Sequence, residues 1–172
     1  MKRTIAIVAG GDSSEHDVSL RSAAGLMSFM DKERYDVEIV ELRSGDAAAL
    51  NRLRDFDFCY ITIHGVPGEN GILQGYFELI GMPYSTCGVL VEAMTYDKFV
   101  LNNYMRSWGM SVADSLLIKQ GYDKDVSDAD IISRIGLPCF VKPASGGSSF
   151  GTTKVKTADF SSFNTEGIYI IR

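Results

Sequence analysis

Three short strand-like runs near the start of the chain, Thr4–Ala9, Tyr35–Leu42 and Phe58–Ile63, limit the architecture more than any other feature. Thr4–Ala9 reads as a buried strand, Phe58–Ile63 is apolar, and Tyr35–Leu42 carries Glu38 and Glu41 among apolar neighbours. Between the first two, Asp12-Ser13-Ser14-Glu15 supplies cap-type residues, and Leu20, Ala23, Ala24, Met27 and Met30 follow at helical spacing. Asp46–Arg54 reads as a short helix before the third run. Strand, helix, strand, helix, strand in this order dictates a parallel sheet with right-handed crossovers. A further helix follows through Ile80, turning Ile72, Leu73, Phe77 and Ile80 inward, and Gly81 and Pro83 stop it. Pro83-Tyr84-Ser85 closes this first domain, placed at residues 1–93.

The remainder, 94–172, has a different rhythm. Helical spacing resumes at Thr95, with Leu101, Tyr104, Met105 and Trp108 on one face and Gly109 at the end. Ser111–Lys119 reads as a strand, Ser127–Ile135 as a helix, Pro138–Pro143 as a strand and Gly151–Thr157 as a more polar strand. That order describes an α+β unit. Ala158–Phe163 is too short for a full helix, Asn164–Gly167 reads as a turn, and Ile168–Ile171 reads as a strand. An apolar strand as the last element needs neighbours to cover it, so the chain reads as truncated.

The chain has 172 residues and a net charge of −5, with no basic block, which argues against nonspecific nucleic-acid binding. No apolar run reaches the roughly 18 residues that cross a bilayer. Met1-Lys2-Arg3 leads straight into a strand, so neither a signal peptide nor a membrane location is expected, and the reading is cytoplasmic. Cys59, Cys87 and Cys139 show neither zinc spacing nor a disulfide framework. Cys59 and Cys139 lie in apolar runs and read as small buried hydrophobes.

Function concentrates in the turns. His64-Gly65-Val66-Pro67-Gly68-Glu69-Asn70-Gly71 carries three glycines and three polar or ionisable side chains at the carboxyl end of a strand. Open α/β sheets place ligands there. His64 is either a structural turn residue or a donor to a ligand carboxylate. Glu15 is either a helix-start carboxylate or an anchor for a substrate ammonium. The loop Lys142–Gly151 combines glycines, serines and a lysine between two strands, which suits either a phosphate cradle or a solvated hairpin tip. Its order does not match the strand-to-helix P-loop, and Gly10-Gly11-Asp12-Ser13-Ser14-Glu15 does not match the dinucleotide fingerprint. Lys98 stands in the first turn of a helix, where the macrodipole disfavours a cation, so a phosphate partner or plain solvation explains it. Asp97 reads as the carboxylate at that helix start.

Taken together these stretches resemble the D-alanine–D-alanine ligases of the ATP-grasp superfamily. The resemblance runs through His64-Gly65-x-x-Gly68-Glu69-Asn70-Gly71-x-Leu73-Gln74-Gly75 and Gly10-Gly11-x-Ser13-x-Glu15-x-x-Val18-Ser19. It continues through Met82-Pro83-Tyr84-Ser85, Asp97-Lys98, and Val141-Lys142-Pro143 with Gly147-Ser148-Ser149-x-Gly151. It implies an α/β fold, with a Rossmann-like N-terminal domain at 1–93 and a partial ATP-grasp central domain of α+β type at 94–172.

It also implies ATP-dependent joining of two D-alanines through an acyl phosphate for peptidoglycan, with Mg2+ as cofactor and a homodimeric assembly. By position, Glu15 would anchor the first D-alanine's ammonium and His64 would lie near its carboxylate. Lys98 and Lys142 would bind ATP phosphates, with Gly147, Ser148 and Ser149 in the covering loop and Ser148 linked to Glu15. Glu69 and Asn70 are expected to lock the turn. The chain departs from the family where Ser145-Gly146 replaces a charged pair, and the family's metal ligands, transition-state arginine and second-substrate segment have no counterpart. The fragment alone is therefore expected to be inactive. Two alternatives stand: a D-lactate or D-serine ligase of the same family, and a noncatalytic Rossmann-like binding module.

Overall fold

The computed structural model describes residues 1–119, 126–160, 163 and 168–171. Contacts divide the chain into two compact units, Met1–Ala93 and Met94–Arg172.

In the first unit, β1 (Arg3–Gly10) lies between β2 (Tyr35–Leu42) and β3 (Phe58–Ile61), and both pairings are parallel. Strand β1 is buried from Ile5 onward because both of its faces are covered. Alternation sorts its side chains. Ile7 and Ala9 pack with Ala23 of α1 (His16–Phe29), and Ala6 and Val8 join Leu53, Cys59, Leu73 and Phe77 on the other face. Helix α2 (Ala47–Arg52) is capped by Asp46, whose Oδ1 accepts from the Ala49 amide at 2.9 Å. Helix α3 (Ile72–Ile80) ends at Gly81 in the left-handed conformation. The Pro83–Ser85 segment meets the sheet through an isolated parallel bridge between Cys59 and Tyr84.

Two expected helix faces are corrected. Helix α1 turns Ser19, Leu20, Ala23 and Leu26 toward the sheet, while Ala24 and Met27 are exposed. Ser19 sets that rotation, because its Oγ accepts the Gly10 amide at 2.9 Å inside the core. In α3 Leu73, Gln74 and Phe77 are buried and Ile80 packs half-buried against the same core, while Ile72 is 62% exposed. Gln74 takes the inner position because its Nε2 donates to the Gly68 carbonyl at 2.6 Å and to Thr86 Oγ1 at 3.0 Å.

Helix α4 (Val89–Tyr96) precedes the expected start of helical spacing. In the second unit, Asp97 caps α5 (Lys98–Ser107), with Oδ1 accepting from the Phe99 and Val100 amides at 3.0 and 2.9 Å. Of the expected α5 face, Leu101 and Met105 are half-buried, while Tyr104 and Trp108 are exposed and pack edge-on against each other. The sheet runs β4 (Ser115–Ile118), β7 (Ile168–Ile171), β5 (Cys139–Pro143), β6 (Thr153–Val155), with every pairing antiparallel. The last strand thus has a partner on each side. Strand β4 starts four residues later than Ser111. Helix α6 (Asp128–Ile135) opens with a Ser127–Asp130 capping box and buries Ile131 and Ile135 against Cys139, Val141 and Val155. The turn expected at Asn164–Gly167 lies outside the described residues, as do Ser161 and Ser162 of the Ala158–Phe163 segment.

Candidate functional site

The first unit brings two loops together at the carboxyl ends of β1 and β3. Their approach is close enough to require glycine. A Cβ on Gly11, whose φ is +85°, would meet Ile63 Cγ2 at 2.5 Å and the Val66 carbonyl at 3.1 Å. The Asp12 amide donates to the Val66 carbonyl at 3.0 Å, and Ser13 Oγ donates to the His64 carbonyl at 2.7 Å. Ser13 Oγ also accepts the Glu15 amide at 3.1 Å. Glu15 occupies the N-cap position of α1 without a side-chain hydrogen bond to the amides of the helix start.

Across the crevice, Glu69 holds the turn as expected. Its Oε2 accepts the Gly65 amide at 2.7 Å, and its Oε1 lies 3.7 Å from His64 Nδ1. Asn70 Oδ1 accepts the Ile72 amide at 3.3 Å. A cavity of about 320 Å³ opens here, lined by Ile61, Ile63, His64, Glu69, Thr86 and Glu92 among others. Gln74 Oε1 beneath the turn is buried without a protein partner. Such a group costs about 1–3 kcal/mol unless water reaches it.

Sequence reasoning missed three side chains here. Ser13 stood as one of several cap-type residues and as a position in the N-terminal motif, with no role assigned to it. His16 Nδ1 lies 3.0 Å from the Gly11 carbonyl and therefore carries the proton, while Nε2 lies 3.0 Å from Arg43 Nη2 and 3.4 Å from Glu41. Glu92 is only 9% exposed and accepts from Cys87 Sγ at 3.4 Å. A carboxylate directly after Val89-Leu90-Val91 was the one visible signal for it. Asp12, beside His16, is held below the usual carboxylate range by hydrogen bonds from Ser44.

The second unit gathers Lys98, Lys142, Gly147, Ser148 and Ser149 around one cavity of about 140 Å³. Lys98 Nζ donates to the Gly146 carbonyl at 2.7 Å and to the Ala144 carbonyl at 3.3 Å. Its backbone amide also reaches Ala144, at 3.0 Å. Burial pushes the Lys98 ammonium below the usual lysine range, and the neighbouring charge of Lys142 adds to the shift. Two cations facing one cavity favour an anionic occupant. Ser148 and Ser149 adopt φ of 50° and 56°, a left-handed conformation uncommon for residues with a Cβ. Strain of this kind collects in ligand clamps and switch loops.

The seven residues singled out from sequence therefore divide between the units, with Glu15 and His64 in the first and the other five in the second. Among the described residues, no group of three or more His, Cys, Asp and Glu is placed to hold a metal ion. Likewise, no helix among them is long and apolar enough to cross a membrane.

Comparison with known proteins bears on both units. The model for the D-ala D-ala ligase N-terminus matches residues 4–47, and that for the D-ala D-ala ligase C-terminus matches residues 104–163. A D-alanine–D-alanine ligase of Phocaeicola vulgatus is 55% identical over 178 aligned residues, covering 92% of this chain and 54% of that protein. The chain thus spans about half the length of the curated relatives it matches. The D-alanine–D-alanine ligase of Bacillus anthracis superposes with a TM-score of 0.85 at 27% identity, covering 98% of this chain and 57% of the other. Its complex with ATP gives 0.83 at 25%, covering 98% and 58%. The VanG D-Ala:D-Ser ligase of Enterococcus faecalis gives 0.79 at 25%, covering 99% of this chain and 62% of that one.

Proposed function

Because the chain belongs to the D-alanine–D-alanine ligase family, through the N-terminal domain and part of the C-terminal domain, we propose that it carries two partial sites of such an enzyme. The first unit receives the first D-alanine. Glu15 holds its ammonium and His64 lies at its carboxylate. The second unit receives the phosphates of ATP, held by Lys98 and Lys142 and covered by Gly147, Ser148 and Ser149. In the complete enzyme the carboxylate of the first D-alanine takes the γ-phosphate, and the amine of the second displaces it to give D-alanyl-D-alanine for peptidoglycan.

The observation that carries this reading is the second cavity, where two lysines and a strained serine loop meet. Phosphoryl transfer asks mainly for positioning and for positive charge near the transferring oxygens, and this loop offers both. Closure of this loop over the phosphates would also keep water from the acyl phosphate. Mg2+ completes the cofactors of this reading, with its ligands in the part of the relatives that this chain does not cover. A cytoplasmic location and a homodimer complete the reading.

A test uses the chain as it stands, with ATP, Mg2+ and D-alanine. Nucleotide binding without phosphate release above background is expected, and robust turnover would overturn the partial-site account. A noncatalytic module would instead keep its ligand affinity after Glu15→Gln or Lys142→Met. The likeness to a D-Ala:D-Ser ligase supports a second reading, with D-serine as the second substrate. Product analysis of the complete enzyme with D-alanine and D-serine in competition separates the two.

A further inference from the structure

We propose that Ser13 is a positioning residue, whose hydroxyl holds Glu15 and His64 at one fixed separation for the first substrate. The inference rests on the assignment of those two residues to the first D-alanine. Its geometry comes from a single atom. Ser13 Oγ lies 2.7 Å from the His64 carbonyl and 3.1 Å from the Glu15 amide nitrogen. A carbonyl can only accept and an amide can only donate, so both directions are forced. The one hydroxyl hydrogen goes to His64, and an oxygen lone pair takes the Glu15 N–H.

The two residues belong to different elements. Glu15 starts α1, and His64 follows β3. Side chains at the ends of separate elements keep a set distance only if something ties their backbones. Elsewhere the two loops meet through the Asp12 amide on the Val66 carbonyl and through the contact of Gly11 with Ile63. Those contacts join the loops, and a Cβ on Gly11 would also stand 3.7 Å from the His64 carbonyl, but neither contact is a hydrogen bond to Glu15 or to His64. The Ser13 hydroxyl reaches both, and it also serves one of the amides that the start of a helix leaves without an intrahelical partner. With the other two contacts intact, loss of the hydroxyl leaves the loops joined and releases the angle between their functional ends. A misplacement of this size weakens binding of a small ligand held at both of its charged ends.

Two measurements test this. In the ligand-free chain, Ser13→Ala is expected to raise hydrogen exchange at the Glu15 amide about tenfold and to shift the Gly65 amide resonance, while Ser13→Thr stays near the parent. An unchanged Glu15 amide in Ser13→Ala overturns the proposal. The second measurement is titration followed at the Glu15 and His64 amides. Ser13→Ala is expected to weaken D-alanine binding about tenfold, leave ATP binding unchanged and be rescued by Ser13→Thr. Equal loss of both ligands would mark a general structural defect and overturns the proposal. If D-alanine moves neither amide in the parent chain, the substrate assignment fails and this inference with it. The exchange result still reports, separately, whether the hydroxyl couples the loops.

Discussion

At the residue scale, Lys98 and Gly11 show what a single position imposes. The Lys98 ammonium is pushed below its ordinary value of 10.5, mainly by burial. A cation that binds phosphate is present below its own pKa and lost as pH rises through it. Nucleotide affinity is therefore expected to fall with rising pH earlier than an ordinary lysine would allow. Lys98→Arg should flatten that profile, because a guanidinium stays charged throughout. A calorimetric titration from neutral to alkaline pH checks this, and an unchanged profile in Lys98→Arg counts against Lys98 as the titrating group. Gly11 gives a stability test. Gly11→Ala places a Cβ against Ile63 at positive φ and should destabilise the first unit by about 1–3 kcal/mol. Gly25, in the middle of α1 with nothing within 4 Å of its would-be Cβ, should do the opposite. Gly25→Ala is expected to stabilise by about 0.5–1 kcal/mol, read as a shift in the denaturant midpoint.

At the element scale, the second sheet depends on its last strand. Strand β7 separates β4 from β5, and Ile170 sits in the core. Ending the chain after Phe163 removes both ladders, so hydrogen-exchange protection across Phe140–Lys142 should fall. Protection of Ala6–Val8 should persist, and unchanged protection at all three of Phe140, Val141 and Lys142 would contradict this topology. The elements themselves were mostly legible, because apolar runs and glycine or proline stops are local signals. Facing was less so. Periodicity in α3 favoured Ile72, yet Gln74 went inside because a carbonyl and a hydroxyl were waiting for its amide. Helix α1 was turned by one serine bonded to the Gly10 amide. Helix α4 was hidden because its apolar residues lie on several sides, with Leu90 and Val91 exposed and Glu92 buried. The site followed the same rule. Glycine turns and lysines announced it, whereas Ser13 and His16 meet partners distant in sequence, the His64 carbonyl for one and the Arg43 and Glu41 side chains for the other.

For the whole molecule, each unit holds one buried cysteine at 0% exposure, Cys59 in the first core and Cys139 in the second. Burial pushes the Cys59 thiol up to about 12 and raises that of Cys139 as well. Neither should react with iodoacetamide in the folded chain near neutral pH. Pulse labelling in rising denaturant then reports the two cores separately. Cys139 is expected to be labelled first, since among the described residues its core is the smaller; simultaneous labelling would mean one cooperative transition. The place of β7 also has a meaning in time. The first unit has all its strands once Ile61 is made, but β4 and β5 cannot be bridged until Ile168–Ile171 arrive. At about 5–20 residues per second, β4 waits roughly 3–10 s during synthesis for the strand that pairs with it. Throughout that interval the first unit can already be folded, while the second is still open-edged and exposed to whatever else in the cell pairs with a strand.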